Sequence, residues 1–576
     1  KFSYGQIRKF CRTYRVSVEA LFYGCLAMYL CRVTDGDGLA VGRDLLSRKG
    51  DEFTVTGMKV HTRTFVAEPK WESSAADFLA DLKRKLAKHT TEQKSCPVFP
   101  EIEISYRPTR CLPSPAHGEC REFYSSSSEM PVKIFINEER DGVELVIKYQ
   151  KEAISGQRIK SILSGALFLM EQILNDPTIP CGRLSLLREE EKQKILTAQQ
   201  GGGWQFQSAL PERFLAMADR YPQRPAMFWR GNAYSYDDFL KLVRQIMRVI
   251  SKRADWSQQR VIGLCLTRTP YLPAAVYASW LSGCAFLPIS PKESKERREK
   301  ISGHCALCLT DAMLKEEKKE ETDVSYDIRP DIDAYEIYTS GTTGEPKAVR
   351  ISHSSLSCRL EWMMDVFGDG AQTILQKTKS TFDVSVWELT MPFAFGKSLY
   401  LLEDGKEADP KAIADALVFG GVTMAHFVPS MLERFFDYLK RENRRFPDLK
   451  YLILSGEEPG AELVKKAYEL LSDTQIYNLY GPAECTIDVS FYHCTGREKR
   501  IALGRPVYAT RLSVRNKRGE ILPVGERGEL VIEGGLVGLG YNGKEETSGF
   551  FTLDGKRAYR TGDLAVLSED GMLYYE

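Results

Sequence analysis

The segment Tyr338–Val349 reads YTSGTTGEPKAV, and the rest of the chain is best interpreted from it. Glycines allow backbone N–H groups to come close to an anion, and successive N–H groups and hydroxyls form a concave site for phosphate oxygens. The Walker pattern G-x-x-x-x-G-K-[ST] does not fit, because Pro346 separates Gly344 from Lys347 and Ala348 follows the lysine. The segment therefore predicts a phosphate-binding loop of another type, with Lys347 as a compact positive charge.

Four further motifs follow this loop in order. They are TFDVSVWE at 381–388, Gly456-Glu457 after a short apolar strand, IYNLYGPAE at 476–484 and YRTGDL at 559–564. Together with the loop, they resemble the motifs of adenylate-forming enzymes, a superfamily of acyl-CoA ligases, luciferases and nonribosomal peptide synthetase adenylation domains. Ala483 stands where threonine is commoner in that family. The resemblance is strong over roughly the last 370 residues.

The resemblance implies that the chain binds ATP and Mg²⁺. Tyr480 would stack on adenine, Asp563 would accept hydrogen bonds from the ribose hydroxyls, and Glu484 would bind the metal through oxygen, with Thr339 as a second ligand. The catalytic residues implied are Thr339, Lys347 and Glu484. The implied ATP-binding set is Thr339, Ser340, Gly341, Thr342, Thr343, Gly344, Lys347, Gly456, Glu457, Asn478, Tyr480, Gly481, Glu484 and Asp563.

Asp383 lies in an apolar run, where an unpaired carboxylate is costly to bury. It is either a member of a structural ion pair or a counter-ion for a substrate ammonium, and the resemblance to amino-acid-activating domains favours the ammonium. The resemblance implies a pocket lined by Asp383, Val384, Trp387, His426, Ile453, Ser455, Leu479, Ile487 and Asp488. Its small size and polar end favour L-serine, and threonine is the near rival, because one methyl group is worth only about 1–3 kcal/mol.

The first part of the chain alternates helices and strands, with an Asp141-Gly142 hairpin signal and an amphipathic helix over 157–174. It resembles the C-terminal part of a condensation domain, although His61-Thr62-Arg63-Thr64 departs from the family pattern. The family's catalytic pair of adjacent histidines followed by Asp-Gly is not in the sequence, since all seven histidines are isolated. An unrelated α/β domain is the alternative.

Composition limits the remaining classes of function. Lys and Arg number 79 and Asp and Glu number 78, so net charge does not indicate nucleic acid or an anionic membrane as a partner. Fourteen cysteines are scattered, and the close pair Cys305 and Cys308 is predicted to be buried rather than to bind zinc. The apolar run 274–289 is too short to span a membrane. Reduced thiols and the lack of a secretory signal predict a cytoplasmic protein.

We therefore predict an α/β protein in three parts. Residues 1–187 would be the chloramphenicol-acetyltransferase-like condensation part, 188–205 a linker, and 206–576 an adenylation core with doubly wound sheets and a small β-barrel. Lys1 and Glu576 both look like cut ends, so we expect a piece of a larger polypeptide that lacks the family's C-terminal lobe and its lysine. A carrier domain with phosphopantetheine and the other synthetase modules would be its partners. An acyl-CoA ligase and a non-catalytic scaffold are the rival interpretations.

Overall fold

The computed structural model describes residues 3–46, 60–89, 102–107, 131–139, 141–316, 324–339, 347–442, 444–543 and 549–576. The helices in these ranges are α1 (Tyr4–Thr13), α2 (Val18–Val33), α3 (Ala75–His89), α4 (Gly156–Asn175), α5 (Glu189–Ala198), α6 (Leu210–Arg220), α7 (Tyr236–Arg253), α8 (Tyr271–Leu281), α9 (Lys295–Ser302), α10 (Asp311–Glu316), α11 (His353–Phe367), α12 (Val384–Ala394), α13 (Pro410–Phe419), α14 (Pro429–Leu439) and α15 (Ala461–Leu470).

The strands in the same ranges form four sheets. They are β1 (Leu39–Leu46), β2 (Val60–Ala67), β3 (Ile102–Arg107), β4 (Val132–Glu138), β5 (Val143–Tyr149), β6 (Pro225–Trp229), β7 (Asn232–Ser235), β8 (Gln259–Cys265), β9 (Ala285–Pro288), β10 (Cys305–Thr310), β11 (Asp333–Thr339), β12 (Lys347–Ser352), β13 (Thr373–Gln376), β14 (Ser398–Leu401), β15 (Met424–Phe427), β16 (Tyr451–Leu454), β17 (Gln475–Tyr480), β18 (Ser490–His493), β19 (Arg505–Pro506), β20 (Thr510–Arg515), β21 (Arg527–Gly534), β22 (Phe550–Leu553), β23 (Lys556–Leu567) and β24 (Leu573–Tyr575).

The chain divides into two compact units, one of residues 1–195 and 514–529 and the other of 196–513 and 530–576. The first unit has one sheet, in the order β2-β1-β3-β4-β5. The Asp141-Gly142 hairpin is confirmed, since β4 and β5 pair antiparallel from Val132–Tyr149 to Glu138–Val143. The predicted amphipathic helix is α4, which begins where the Ser155 hydroxyl accepts a hydrogen bond from the Arg158 N–H.

Residues 514–529 belong to the first unit although they are remote from it in sequence. Glu520 accepts a hydrogen bond from the fully buried Arg32 at 3.0 Å, and Glu526 forms an ion pair with Arg158 at 3.0 Å. Such contacts depend on which segments the fold brings together, and the sequence analysis did not predict them. The division between residues 195 and 196 falls inside the segment 188–205.

The second unit is built on two sheets of mostly parallel strands. One has the order β10-β8-β9-β11-β12, and the other β19-β18-β17-β16-β15-β13-β14-β6-β7. Strands covered on both faces read as continuous apolar runs, which explains the composition of β8. A third sheet contains β20 to β24, and the small barrel predicted for this part stays a prediction. The α/β class is confirmed by these sheets and their crossover helices.

Three smaller predictions are also tested by the described residues. Cys305 is buried and Cys308 is partly buried in β10, and no group of three or more potential metal ligands occurs among the residues described. Helix α9 has no buried residue, as expected for a solvated charged helix. In the described ranges no single helix meets the length and hydropathy expected of a membrane span, although α1 and α2 together, bent by 96°, do so by length and composition alone.

Candidate nucleotide and substrate site

A cavity of about 460 Å³ opens where parallel strands of the larger sheet end. In sheets of this kind ligands bind outside the carboxyl ends of the strands. The turn after β16, the end of β17 and the middle of β23 supply the polar part of its wall. The lining includes six residues of the predicted ATP-binding set, namely Gly456, Glu457, Asn478, Tyr480, Gly481 and Asp563.

Tyr480 and Asp563 are joined by a hydrogen bond in this cavity. The tyrosine hydroxyl donates to Asp563 Oδ2 at 2.5 Å, and the Asp563 N–H donates to Thr561 Oγ1 at 3.0 Å. Burial, followed by the charge of Asp563, raises the pKa of Tyr480 well above its ordinary value, so this hydroxyl remains a donor. The Asp563 carboxylate is therefore held in place with its other oxygen available as an acceptor.

Two further residues of the cavity are already engaged by the protein. Glu457 accepts hydrogen bonds from the N–H and the hydroxyl of Ser430, both at 3.0 Å, and Asn478 donates to the Ala502 carbonyl at 2.8 Å. Gly456 has φ +84°, a conformation that glycine adopts without strain. These contacts shape the turn between β16 and the cavity before any ligand binds.

A second cavity, also of about 460 Å³, lies beside the predicted phosphate loop. Thr339 and Asp383 both line it, together with Tyr338, Phe382 and Ala483. Of the predicted loop residues, Ser340, Gly341, Thr342, Thr343 and Gly344 lie outside the described residues. The two flanks are described, and Thr339 at the end of β11 pairs directly with Lys347 at the start of β12.

Asp383 is an uncompensated acid in the wall of this cavity. It is half-buried at the start of α12, and its Oδ1 accepts the Val384 N–H at 2.8 Å. Among the described residues no lysine, arginine or histidine forms an ion pair with it. Burial, and then the negative charges of Asp488 and Glu484, raise the pKa of Asp383 to about 7. The described residues thus favour a counter-ion for an external cation over a structural ion pair.

Asp488, by contrast, has a partner of its own. The fully buried Arg359 in α11 donates from Nη2 to Asp488 Oδ2 at 2.7 Å, and the Asp488 side chain is 3% exposed. The sequence analysis treated Asp488 as a group available to a substrate hydroxyl. In the structure one of its oxygens is already taken by Arg359, so only the other remains for that role.

His426 and Ser455 lie side by side at the ends of β15 and β16. His426 Nε2 is 2.9 Å from Ser455 Oγ, and His426 Nδ1 is a buried atom with no hydrogen-bond partner among the described residues. Burial, followed by the charge of Lys377, holds the pKa of His426 well below its ordinary value, so the imidazole is neutral. The other predicted pocket residues are buried, or half-buried in the case of Val384, and are Val384, Trp387, Ile453, Leu479 and Ile487.

The pocket is only partly open in this structure. Leu479 lines the first cavity and Asp383 the second, whereas His426, Ser455 and Asp488 line neither. The carboxylates of Asp383 and Asp488 are near enough for each charge to affect the other's surroundings. The fold thus brings the acidic end together, and the polar pair His426 and Ser455 forms a separate, closed group.

The turn between β17 and β18 carries backbone strain next to the predicted pocket. Thr486 and Ile487 have φ values of 58° and 76°, which are rare for β-branched residues. The Thr486 hydroxyl donates to the Leu536 carbonyl at 2.7 Å, and a Cβ on Gly481 would lie 2.5 Å from Asp488 Cα. Strain of this kind persists only where the surrounding structure imposes it, and it is concentrated at functional sites.

Glu484 and Thr339 have the oxygen chemistry that Mg²⁺ prefers. Glu484 is 8% exposed, and its Oε1 accepts the Tyr541 hydroxyl at 2.8 Å. The Thr339 hydroxyl is buried without a hydrogen-bond partner among the described residues. Because Mg²⁺ is commonly bound by one or two protein oxygens together with substrate phosphates, this sparse set fits the metal.

Sequence reasoning missed Arg359 and Tyr541, which contact two of the predicted residues. Arg359 lies in a mainly buried helix, and an arginine in an apolar pattern is the signal that should have prompted a search for a buried acid. Tyr541 was noted only as part of a glycine-rich stretch. Neither pattern reveals which carboxylate is the partner.

The fold and the geometry define an α/β protein with a nucleotide-type cavity at the strand ends and an acid-lined cavity beside a phosphate-type loop. A family model described as AMP-binding enzyme matches residues 214–320 and 306–542. Zwittermicin A synthase ZmaJ of Bacillus cereus is 33% identical over 388 residues, which are 62% of this chain and 74% of that protein. The chain therefore belongs to the AMP-binding enzyme family.

Other similarities extend over more of the chain. One of the plipastatin synthase proteins of Bacillus subtilis (strain 168) is 28% identical over 96% of this chain, which is 17% of that protein. A crystal structure of the nonribosomal peptide synthetase FmoA3 in its alpha-methyl-L-serine-AMP bound form has a TM-score of 0.90 and 20% identity. It covers 100% of this chain and 70% of that chain, a likeness of fold. The chain spans less than a fifth of the length of the long synthases that it matches.

Proposed function

We propose that this chain is the adenylation part of a nonribosomal peptide synthetase module, and that it converts L-serine and ATP into seryl-adenylate and pyrophosphate. The observation that carries the proposal is Asp383, a carboxylate without a cationic partner among the described residues, in the wall of a cavity that also contains Thr339. A carboxylate in this position attracts an α-ammonium group. Fatty acids lack that group, so the acyl-CoA ligase rival gives Asp383 no role.

In the reaction, the serine carboxylate attacks the α-phosphorus of ATP and pyrophosphate leaves. Asp383 orients the amine, and Tyr480 and Asp563 hold the nucleoside. When bound, Mg²⁺ would neutralise phosphate charge as a Lewis acid, with Glu484 and Thr339 as the residues that hold it. Lys347 stands at the end of the phosphate loop, where a positive charge stabilises the negative charge that develops on the phosphates.

L-serine is the proposed substrate because the far end of the predicted pocket is polar. The pair His426 and Ser455 and the remaining oxygen of Asp488 offer donors and acceptors that a hydroxyl group can satisfy. Alanine would leave such groups unpaired, which costs binding free energy. The pocket must open to expose this pair, since neither residue lines a cavity in the free chain.

We further propose that residues 1–187 are the C-terminal part of a condensation domain. Similarity to the plipastatin synthase protein over 96% of the chain supports this assignment. The product would then pass to the phosphopantetheine thiol of a carrier domain in the same cytoplasmic synthetase. The isolated histidines imply that this part does not form peptide bonds by itself.

The test is amino-acid-dependent exchange of pyrophosphate into ATP, with a panel of amino acids and simple carboxylic acids. The protein should carry the chain extended beyond Glu576 so that a C-terminal lobe can take part. We expect serine to give the highest rate, followed by threonine. Exchange with fatty acids but not serine would indicate an acyl-CoA ligase, and no binding of ATP to the folded protein would indicate a scaffold.

Replacing Ser455 by alanine should reduce the preference for serine over alanine by roughly 10- to 100-fold, because the hydroxyl that pairs with His426 is lost. The ratio of kcat/KM for the two amino acids measures this change. The matched control is Thr474→Val, which removes a buried hydroxyl that donates to the Leu449 carbonyl at 2.9 Å. The control should leave the ratio unchanged, and an unchanged ratio in Ser455→Ala would remove Ser455 from the pocket.

Amino-acid binding should weaken below about pH 7, because the pKa of Asp383 is raised to about 7. In the free protein the acid form dominates below that pH, and only the carboxylate attracts an ammonium group. Affinity for serine should therefore fall roughly tenfold per pH unit below about 7 and be flat just above it. Calorimetric titrations from pH 5.5 to 8 would detect this slope, and a flat profile throughout would contradict it.

A further inference from the structure

Glu484 is held by a single tyrosine from a segment remote in sequence. The Tyr541 hydroxyl donates to Glu484 Oε1 at 2.8 Å, and Tyr541 is 7% exposed. No other hydrogen bond reaches the Glu484 carboxylate within the described part of the chain. We propose that Tyr541 is a positioning residue that fixes Glu484 so that its second oxygen faces the metal–nucleotide complex.

The backbone ties Tyr541 to the strand that leaves the predicted phosphate loop. The Arg350 N–H donates to the Gly540 carbonyl at 3.0 Å, and the Asn542 N–H donates to the Ala348 carbonyl at 2.8 Å. A β-bridge joins Val349 to Tyr541. Tyr541 therefore cannot shift without moving β12, the strand that begins with Lys347.

The other side of the link is equally short. The Gly538 N–H donates to the Glu484 carbonyl at 2.8 Å, so the segment before Tyr541 is attached to the backbone of Glu484 itself. One short stretch of chain thus connects the nucleotide motif around Glu484 with the strand after the loop. These two motifs supply all three residues expected to act on the phosphates.

The ring of Tyr541 makes a second contact with this group. The Lys347 ammonium lies 5.2 Å from the centre of the Tyr541 ring, within the range of cation–π attraction. One tyrosine therefore touches both predicted phosphate-binding charges, Glu484 with its hydroxyl and Lys347 with its face. It separates the two charges, which would otherwise be free to form a direct ion pair.

Aromatic packing fixes the orientation of the ring. Phe550 lies edge-on to Tyr541 with ring centres 5.3 Å apart, and Tyr559 packs against Phe550 at 4.8 Å. Burial raises the pKa of Tyr541 above its ordinary value, so its hydroxyl remains a donor throughout the working pH range. A rigid donor of this kind pre-organises a carboxylate before the ligand arrives, which is what a precise metal site requires.

The inference rests on the proposed function, because it assigns Tyr541 to the same nucleotide chemistry. The variant Tyr541→Phe removes the hydroxyl and keeps the ring beside Lys347. We expect the affinity for the non-hydrolysable analogue AMPPNP in excess Mg²⁺ to fall about tenfold in calorimetric titrations, the loss of one charge-assisted hydrogen bond. In EDTA the affinity should equal that of the wild type, because the metal is then absent.

The matched control is Tyr508→Phe, which removes a hydroxyl that donates to the Asp365 carboxylate at 2.9 Å. It should leave the affinity unchanged both with and without Mg²⁺. Equal affinity of Tyr541→Phe and the wild type in Mg²⁺ would overturn the inference, and so would equal losses in Mg²⁺ and in EDTA.

A double variant shows whether Tyr541 acts through Glu484. In the Glu484→Gln background the further change Tyr541→Phe should have no effect on Mg²⁺-dependent AMPPNP binding, and a second tenfold loss would overturn the inference. If Tyr541→Phe does not fold, Tyr541→Trp with the same titrations replaces it, since it keeps an aromatic ring but places no hydroxyl on Glu484. Absence of Mg²⁺-dependent binding in the wild type would instead reject the proposed function, and the inference with it.

Discussion

Replacement of Asp383 by alanine is expected to abolish serine-dependent pyrophosphate exchange while ATP binding is nearly unchanged. Removing one partner of a buried, hydrogen-bonded charge pair costs roughly 2–5 kcal/mol, which is about 30-fold to more than 1000-fold in affinity. The effect should be this large because Asp383 has no cation of its own among the described residues, so the substrate ammonium is its partner. Calorimetry with serine and with ATP, on the same protein, measures the two affinities separately.

The control for Asp383 is Asp365→Ala, in which the lost carboxylate binds the Tyr508 hydroxyl at a site away from both cavities. Asp365→Ala should change neither affinity. The isosteric variant Asp383→Asn tests charge rather than size, because it keeps the shape of the side chain and cannot attract an ammonium group. Equal loss of serine and ATP binding in Asp383→Ala would mean that the pocket has been placed wrongly.

Replacement of Arg359 by methionine is expected to be the most destabilising single change in the second unit. Arg359 and Asp488 are both buried, and removal of one partner leaves an uncompensated charge in the interior. Breaking such a pair typically lowers the free energy of unfolding by about 3–5 kcal/mol. A lower melting temperature and a lower denaturant midpoint would measure the loss.

Two comparison variants make the Arg359 result interpretable. The pair Arg230 and Glu403 has a similar separation of 3.0 Å but is 57% and 49% exposed, so Arg230→Met should cost less than about 1 kcal/mol. The double variant Arg359→Met with Asp488→Leu removes both charges and should recover most of the stability. If Arg359→Met is no more destabilising than Arg230→Met, the buried pair does not stabilise the unit.

Much of the local structure could be predicted because its causes lie within a few residues. Helix α7 begins at Ser235, whose hydroxyl accepts the Asp238 N–H at 3.1 Å while Asp238 bonds back to the Ser235 N–H. The β4–β5 hairpin follows from the alternation of apolar residues around Asp141-Gly142. The predicted nucleotide residues could be named for a related reason, since they lie in compact motifs at the ends of apolar strands.

The partners of those residues could not be predicted in the same way. Arg359 is 129 residues from Asp488, and Tyr541 is 57 residues from Glu484. Nothing in the local pattern distinguishes the carboxylate that gains an internal cation from the one that does not. Asp383 and Asp488 look equally buried and acidic in sequence, and only the position of α11 decides that Asp488 is paired.

By itself, the sequence determined the class of fold, the order of the motifs and the residues placed at the strand ends, because apolar periodicity and short glycine-rich turns act locally. Only the tertiary structure decided the charge balance of the site. It assigned Arg359 to Asp488, left Asp383 without a cation among the described residues, and placed Tyr541 against Glu484. The physical reason is that electrostatic partners are chosen by distance in space, which the packing of remote segments sets.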